Sequence, residues 1–242
     1  MRVAVIIPAA GLGTRMGRAV SPEKSGTSRK QFMLLDGQPI LVHTIRKFVA
    51  CESVTEIIVA LRQEDMEWAR GLLAREAGGK TLKLVVGGAS RQESVENALR
   101  EVSPDIELVA VHDAVRPFVD LDIIRRVITE AARTGAAIVG IVPVDTVKQV
   151  HLNKIRATIP RDKLILTQTP QVFRVELLRE AFEKAKADGF VGTDESSLVE
   201  RLERVDVSVV AGSDRNIKIT KPSDMELARL FMAEEKARRK AS

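Results

Sequence analysis

The chain has a single cysteine, Cys51, no tyrosine, and an aromatic content of 3% across 242 residues. One thiol excludes an internal disulfide and any thiolate cluster for zinc, a usage that belongs to a reducing compartment. The three histidines, His43, His112 and His151, stand apart without metal-ligand spacing. Scarce aromatic rings offer no platform on which bases would stack. The net charge of +5, left by 38 basic residues against 33 acidic ones, therefore points to small polyanions rather than to nucleic acid. Long apolar runs are missing too. Nothing approaches the roughly 18 residues of a membrane helix, and strand-like residues begin at Val3, where a secretory leader would need a basic and then an apolar stretch. The expectation is a soluble, cytoplasmic chain with no membrane partner. The basic run KARRK at 236–240 reads as a solvated helix end.

What is present begins with the β-branched run at 3–7, too short for a helix, which leads straight into PAAGLGTRMG at 8–17. A strand that runs into a glycine loop commonly meets phosphate. Gly11 and Gly13 lack the side chains that would hold a phosphate away from backbone N–H groups, and Arg15 adds a forked positive charge. The loop is neither a Walker loop, which needs Gly-Lys-Ser/Thr, nor a dinucleotide loop, because three residues, Thr14, Arg15 and Met16, separate Gly13 from Gly17.

Further along, apolar runs at 57–61, 82–86, 108–111 and 138–142 read as buried strands. Helical periodicity marks 39–50, 65–77, 90–102 and 122–133. With 45% hydrophobic residues and no repeat or low-complexity stretch, the chain suits one α/β domain spanning 1–242. The alternation predicts a doubly wound, mainly parallel, Rossmann-like sheet with its ligand crevice at the carboxyl ends of the strands. The glycine loop, Gly87-Gly88 and His112-Asp113 all fall on that edge. The pattern then changes to two short β-type runs, 147–150 and 155–159, around the polar turn Leu152-Asn153-Lys154. The segment 143–166 reads as a projecting β-arm, a two-stranded ribbon that needs cover to be stable.

The loop with Lys30-Gln31-Phe32 behind it resembles the nucleotidyltransferases that load a sugar or polyol phosphate onto a nucleotide. VHDAVRPF at 111–118, PVDTVK at 143–148, TQTPQVF at 167–173, TDESSLVE at 193–200 and NIKIT at 216–220 narrow the likeness. Together they resemble the 2-C-methyl-D-erythritol 4-phosphate cytidylyltransferase family, from residue 3 to about residue 228. The resemblance implies attack by the phosphate of a polyol phosphate on the α-phosphorus of CTP, with loss of pyrophosphate. Such a nucleophile is anionic already, so the site must supply position and positive charge rather than a base.

By that resemblance, Arg15 and Lys30 stabilise charge on the α-phosphate and the departing pyrophosphate, and Arg161 and Lys218 hold the incoming polyol phosphate. Backbone at Ala9, Ala10, Gly11 and Gly13 cradles the triphosphate, while Gly87, Gly88, Ala89 and Ser94 read the cytosine edge, their small size excluding a purine. Asp113, Ala114, Arg116, Thr146, Thr169 and Thr193 contact the polyol and its surroundings. The arm is expected to cross to a second subunit of a homodimer, carrying Thr146 and Arg161 into its site. Mg2+ is implied as a companion of the triphosphate, with no protein metal cage.

One departure stands out. RAVSPEKSGTSR at 18–29 is longer than the compact pattern of similar chains, and Arg29 stands where a proline commonly precedes the lysine. Lys24, after Pro22-Glu23, is thus a rival for Lys30; Gln31-Phe32 and GQPIL at 37–41 keep the register in favour of Lys30. This loop is expected to close over bound CTP. Lys218, in the alternating run 216–220, would otherwise be an exposed strand lysine. Two other readings remain: a ribitol 5-phosphate cytidylyltransferase, and a non-catalytic nucleotide-binding regulator on the same sheet.

Overall fold

A computed structural model of the chain describes residues 1–11 and 29–241, with side chains as far as Arg238. Its first strand, β1 (Val3–Pro8), shows how the sheet is built. Val3, Val5 and Ile7 enter one buried cluster while Ala4 and Ile6 enter another on the opposite face. Period-two alternation of apolar side chains on both faces is what a strand covered on both sides requires.

The elements then follow in order: β2 (Leu34–Leu35) and β3 (Gln38–Pro39), α1 (Ile40–Val49), β4 (Val54–Leu61), α2 (Met66–Leu73), β5 (Thr81–Val86), α3 (Arg91–Arg100) and β6 (Leu108–Val111). Next come α4 (Leu121–Thr134), β7 (Ala136–Ile141), β8 (Val147–His151), β9 (Lys154–Ile159) and β10 (Leu166–Arg174). Helices α5 (Val175–Ala187) and α6 (Glu195–Glu200), strand β11 (Ser208–Ala211) and helix α7 (Pro222–Ala241) complete the described chain.

Seven strands form the central sheet in the order β11-β7-β10-β6-β1-β4-β5. Strand β1 pairs in parallel with both β4 and β6, so the chain moves outward through β4 and β5 and then returns to the other side of β1. That reversal is a topological switch point, where the connections diverge and leave a crevice at the carboxyl ends. One cluster packs α1, α2 and α4 against one face and another packs α3 and α5 against the other. A smaller third cluster joins Leu35, Ile40, Phe118 and Ile219 to Met225 and Ala228 of α7.

Helix ends are marked locally. Ser90 caps α3 by accepting the Glu93 N–H at 3.0 Å, and Glu93 Oε2 accepts the Ala89 N–H at 2.7 Å, a reciprocal arrangement close to a capping box. Helix α4 stops at Gly135, whose φ of +95° is the left-handed conformation that a helix C-terminus favours and that glycine adopts without strain.

The sheet is mainly parallel, as the alternation predicts, and departs from that where strand β10 runs antiparallel to both β6 and β7. Two sequence expectations change. The run 216–220 is not a strand at all, because Asn216 is drawn inward by side-chain hydrogen bonds instead of entering a ladder. Helix α2 ends at Leu73, short of residue 77. Strands β8 and β9 form their own two-stranded sheet around a turn in which Leu152 and Asn153 both have positive φ, as two-residue hairpin turns favour. Val150, Leu152 and Ile155 of this hairpin are exposed in the single chain.

Candidate active site

The crevice at the switch point has a volume of about 180 Å³, and its lining includes Ala9, Lys30, Gln31, Arg91, Asp113, Ala114 and Lys218. These residues come from five separate places: the end of β1, the segment before β2, the first turn of α3, the end of β6, and the stretch before α7. The sheet edge is what gathers them.

The glycine turn is held from behind. Gln31 Nε2 donates to the carbonyls of Ala9 at 2.6 Å and Gly11 at 3.2 Å, and Arg62 Nε donates to Ala10 O at 3.1 Å. With these carbonyls fixed, the peptide units that carry the amides are fixed as well. The Ala9 N–H is committed to Ala60 O at 2.7 Å, whereas the amides of Ala10 and Gly11 have no partner among the described residues. Gly13, Arg15, Lys24 and the expected closing loop lie outside the described residues.

The second glycine turn packs onto the first. A Cβ on Gly87 would fall 2.5 Å from Ala10 Cβ and 2.9 Å from Ser94 Oγ, so only glycine lets the two segments approach. Ser94 is buried, its hydroxyl donating to Ser90 O at 2.8 Å and accepting the Gly88 N–H at 3.1 Å. The amides of Gly87, Gly88 and Ala89 are bonded to Leu61 O, Ser94 Oγ and Glu93 Oε2 respectively. This segment therefore offers carbonyl acceptors rather than N–H donors.

One carboxylate organises the charges. Asp113 Oδ2 lies 3.0 Å from Lys218 Nζ and 3.1 Å from Arg116 Nε, and Oδ1 lies 3.5 Å from Arg91 Nε. Burial alone would raise the Asp113 carboxyl, but Lys218, Arg91 and Arg116 outweigh it and hold the group well below the usual carboxylate range. Three cations on one anion leave a positive surplus at the crevice. Arg91 in turn meets buried Glu195 at 2.6 Å. Burial pushes the Glu195 carboxyl up against the pull of Arg91, and the short contact assigns the ion pair. Glu195 Oε2 has no partner among the described residues.

Behind Asp113, Thr169 Oγ1 accepts the Asp113 N–H at 3.0 Å and donates to His112 Nδ1 at 3.1 Å. His112 Nε2 donates to Arg116 O at 3.1 Å, a carbonyl partner that assigns the ring proton to Nε2. Fully buried, the imidazole is pushed down to about 4, against the opposing influence of its Arg116 hydrogen bond. It is neutral near pH 7 and fills both nitrogens within the protein. Arg116 also donates to Asn216 O at 2.6 Å, and Asn216 Nδ2 donates to Thr169 O at 2.9 Å. Arg116 and Thr169 are thus buried supports of Asp113.

Other predicted residues sit elsewhere in the single chain. Thr146 is exposed at the start of the β8–β9 hairpin, and Arg161 is exposed beyond it, donating to Val144 O. Thr193 is exposed just before Asp194, which caps α6 by accepting the Ser197 N–H at 3.1 Å. Sequence reading passed over Arg91, Arg62 and Glu195. Arg91 carried a usable signal, a basic residue just beyond a glycine turn, the same signal that singled out Arg15. Glu195 lies inside the TDESSLVE motif at 193–200, but nothing local marks it as a partner of Arg91, 104 residues away.

Among the described residues no group of three or more His, Cys, Asp or Glu side chains is arranged to hold a metal. Asp113, the carboxylate lining the crevice, is already occupied by three cations. The donor set suits a divalent ion only when that ion arrives on phosphate oxygens. Nor, among the described residues, is any helix long and apolar enough to cross a membrane.

Known proteins resemble this chain in sequence and in fold. The chain matches the family described as IspD, 2-C-methyl-D-erythritol 4-phosphate cytidylyltransferase, over residues 3–234. It is 65% identical to the 2-C-methyl-D-erythritol 4-phosphate cytidylyltransferase of Solibacter usitatus over 98% of both chains. With that of Acidobacterium capsulatum it shares 47% identity over 98% of this chain and 100% of the relative. Its fold superposes on the crystal structure of 4-diphosphocytidyl-2C-methyl-D-erythritol synthase from Anaerococcus prevotii with a TM-score of 0.83 and 29% identity, covering 96% and 98% of the two chains. For the 2-C-methyl-D-erythritol 4-phosphate cytidylyltransferase of Thermus thermophilus the TM-score is 0.75 at 33% identity, again over 96% and 98%. The crevice at the switch point, the cation-ringed Asp113 and these end-to-end matches converge on one conclusion: the chain belongs to the 2-C-methyl-D-erythritol 4-phosphate cytidylyltransferase family.

Proposed function

We infer that this protein transfers the cytidylyl group of CTP to 2-C-methyl-D-erythritol 4-phosphate, giving 4-diphosphocytidyl-2-C-methyl-D-erythritol and pyrophosphate in the non-mevalonate route to isoprenoids. The observation that carries the reading is the grouping of Lys30, Arg91 and Lys218 with Asp113 at the carboxyl edge of β1 and β6. A phosphate monoester oxygen of the acceptor forms a bond to the α-phosphorus as the bond to the bridging oxygen of pyrophosphate breaks. The nucleophile is an anion at neutral pH, so no proton need be removed. Neutral, buried His112, with both nitrogens occupied, is unsuited to remove one.

In this reading Lys30, with Arg15, balances charge gathering on the α-phosphate and pyrophosphate. Lys218 holds the acceptor phosphate, and its position is set by Asp113. The Ala10 and Gly11 amides receive the triphosphate together with Gly13. Carbonyl acceptors in the Gly87–Ala89 segment suit the N4 amino group of cytosine and repel the O4 of uracil. Arg161 and Thr146 complete the acceptor site of a second subunit in a homodimer, a role supported by the exposed apolar side chains of the hairpin. Mg2+ enters on the triphosphate, where it neutralises phosphate charge. The setting is the cytoplasm.

The test is pyrophosphate release with CTP, UTP, ATP or GTP, and with methylerythritol phosphate or ribitol 5-phosphate as acceptor. Release specific to CTP with methylerythritol phosphate supports the reading. A clear preference for ribitol 5-phosphate, or tight CTP binding without release, sinks it. Within the same assay, Lys30→Ala is expected to lose orders of magnitude in turnover and Lys24→Ala to stay near wild type; the reverse moves the role to Lys24.

A further inference from the structure

Arg29, directly before Lys30, is not exposed as a linker cation would be: its side chain is 14% accessible. Its Nη1 meets Asp65 Oδ2, and its Nη2 meets Glu64 Oε1 at 2.7 Å. Asp65 is 1% accessible, its second oxygen has no partner among the described residues, and Arg29 is the one cation paired with it among them. A carboxylate this buried is costly unless an opposite charge stays with it. The pairing therefore fixes Arg29 on the turn that follows β4.

The same turn also grips the glycine segment. Glu64 Oε1, shared with Arg29, is 3.1 Å from Arg62 Nη1, and Arg62 Nε donates to Ala10 O at 3.1 Å. Gln31 closes the circuit by donating to Ala9 O and Gly11 O. Phe32 then stacks edge-on against Trp68 of α2, ring centres 4.7 Å apart. Lys30 thus stands between two anchored neighbours, and the backbone on either side of residues 12–28 is tied to one turn, 62–65.

We propose that Arg29 is a positioning residue: clasped by Asp65 and Glu64, it sets Lys30 in register with the Ala10–Gly11 amides. The proposal rests on the cytidylyl-transfer reading. It adds that charge stabilisation by Lys30 depends on Arg29, Glu64 and Asp65, which are not part of the crevice lining. A shift of the order of an ångström in such a group is enough to cost about a hundred-fold in rate.

The experiment compares wild type with Arg29→Ala, Arg29→Lys and the double variant Arg29→Ala/Asp65→Asn. It follows kcat, the KM of the acceptor, CTP binding by calorimetry, and the melting temperature. Arg29→Ala is expected to lower kcat about ten- to hundred-fold and to weaken CTP binding, with the acceptor KM changed less than about two-fold. The double variant removes the stranded buried charge and recovers the melting temperature while kcat and CTP affinity stay low. Arg29→Lys, which keeps the charge but not the fork, lies between wild type and Arg29→Ala at a near-normal melting temperature, and it decides the matter alone if Arg29→Ala does not fold. The proposal is overturned if the double variant regains kcat and CTP affinity together with stability, or if neither changes in Arg29→Ala and Arg29→Lys. Wild type that binds CTP without releasing pyrophosphate defeats the function reading instead, and CTP affinity then judges the clasp by itself.

Discussion

Lys218 Nζ lies 3.0 Å from Asp113 Oδ2, so a lysine in an irregular stretch before α7 is aimed by a buried carboxylate at the end of β6. The contact explains how a half-buried lysine holds one position in an open crevice. It also makes Asp113 answerable for three cations rather than one.

Asp113→Asn is expected to destabilise the fold by about 3 kcal/mol, because Arg91, Arg116 and Lys218 lose their shared anion. Acceptor KM should rise with it as Lys218 loses its restraint. The carboxyl is depressed in the folded state, so its contribution is complete above its ordinary pKa of about 4 and is lost as pH falls below that value. Urea midpoints measured from pH 7 to pH 3 should show this acid loss in wild type and a shallower slope in the variant.

His112 titrates in the other direction of charge. Its folded value is pushed down to about 4, below the ordinary 6.5, so the folded state binds this proton less readily than the unfolded chain. Stability should be full above about pH 6.5 and fall by up to about 3 kcal/mol as pH drops toward 4. For transfer itself, kcat/KM should be level from pH 7 upward and decline only near the second ionisation of the acceptor phosphate, about pH 6. A rate limb that follows the imidazole, in substrate analogues of different phosphate pKa, would refute the neutral role.

Gly87→Ala places a methyl group 2.5 Å from Ala10 Cβ and forces the two glycine turns apart. The expected cost is about 1–3 kcal/mol in stability. CTP should suffer more than the acceptor if both displaced segments serve the nucleotide, as the proposed function assigns them. Kinetics showing equal losses for the two substrates would contradict that division.

Subunit mixing tests the arm. Arg161→Ala and Lys218→Ala should each be nearly inactive as homodimers. Mixed and re-equilibrated, they should regain about a quarter of wild-type turnover, because half of the dimers would carry one intact site. No recovery would place Arg161 in its own protomer's site or outside any site.

Much of this was legible along the chain. The run 3–7 showed β1 because apolar side chains two apart must face the same way, and both of its faces proved to be covered. The hairpin was readable for the opposite reason, since its strands are short, polar and separated by a tight turn. Strand β10 was not readable as antiparallel. Its composition is the same whichever way it runs, and only its insertion between β6 and β7 brings Thr169 to Asp113. Asn216 resembled a strand residue for a similar reason: alternation is a local signal, and the hydrogen bonds that pull it inward come from β10.

The sequence by itself determined the main strands and helices from β1 to β7 and the β8–β9 hairpin, that the glycine turns lie on one sheet edge, and which family the motifs resemble. These follow from local periodicity and from the conformational freedom of glycine. Tertiary structure alone decided that Asp113 holds Lys218 and Arg91, that Arg91 reaches Glu195, and that Arg29 reaches Asp65. Charge pairs between distant residues depend on strand order and burial, and neither is written in any one stretch of chain.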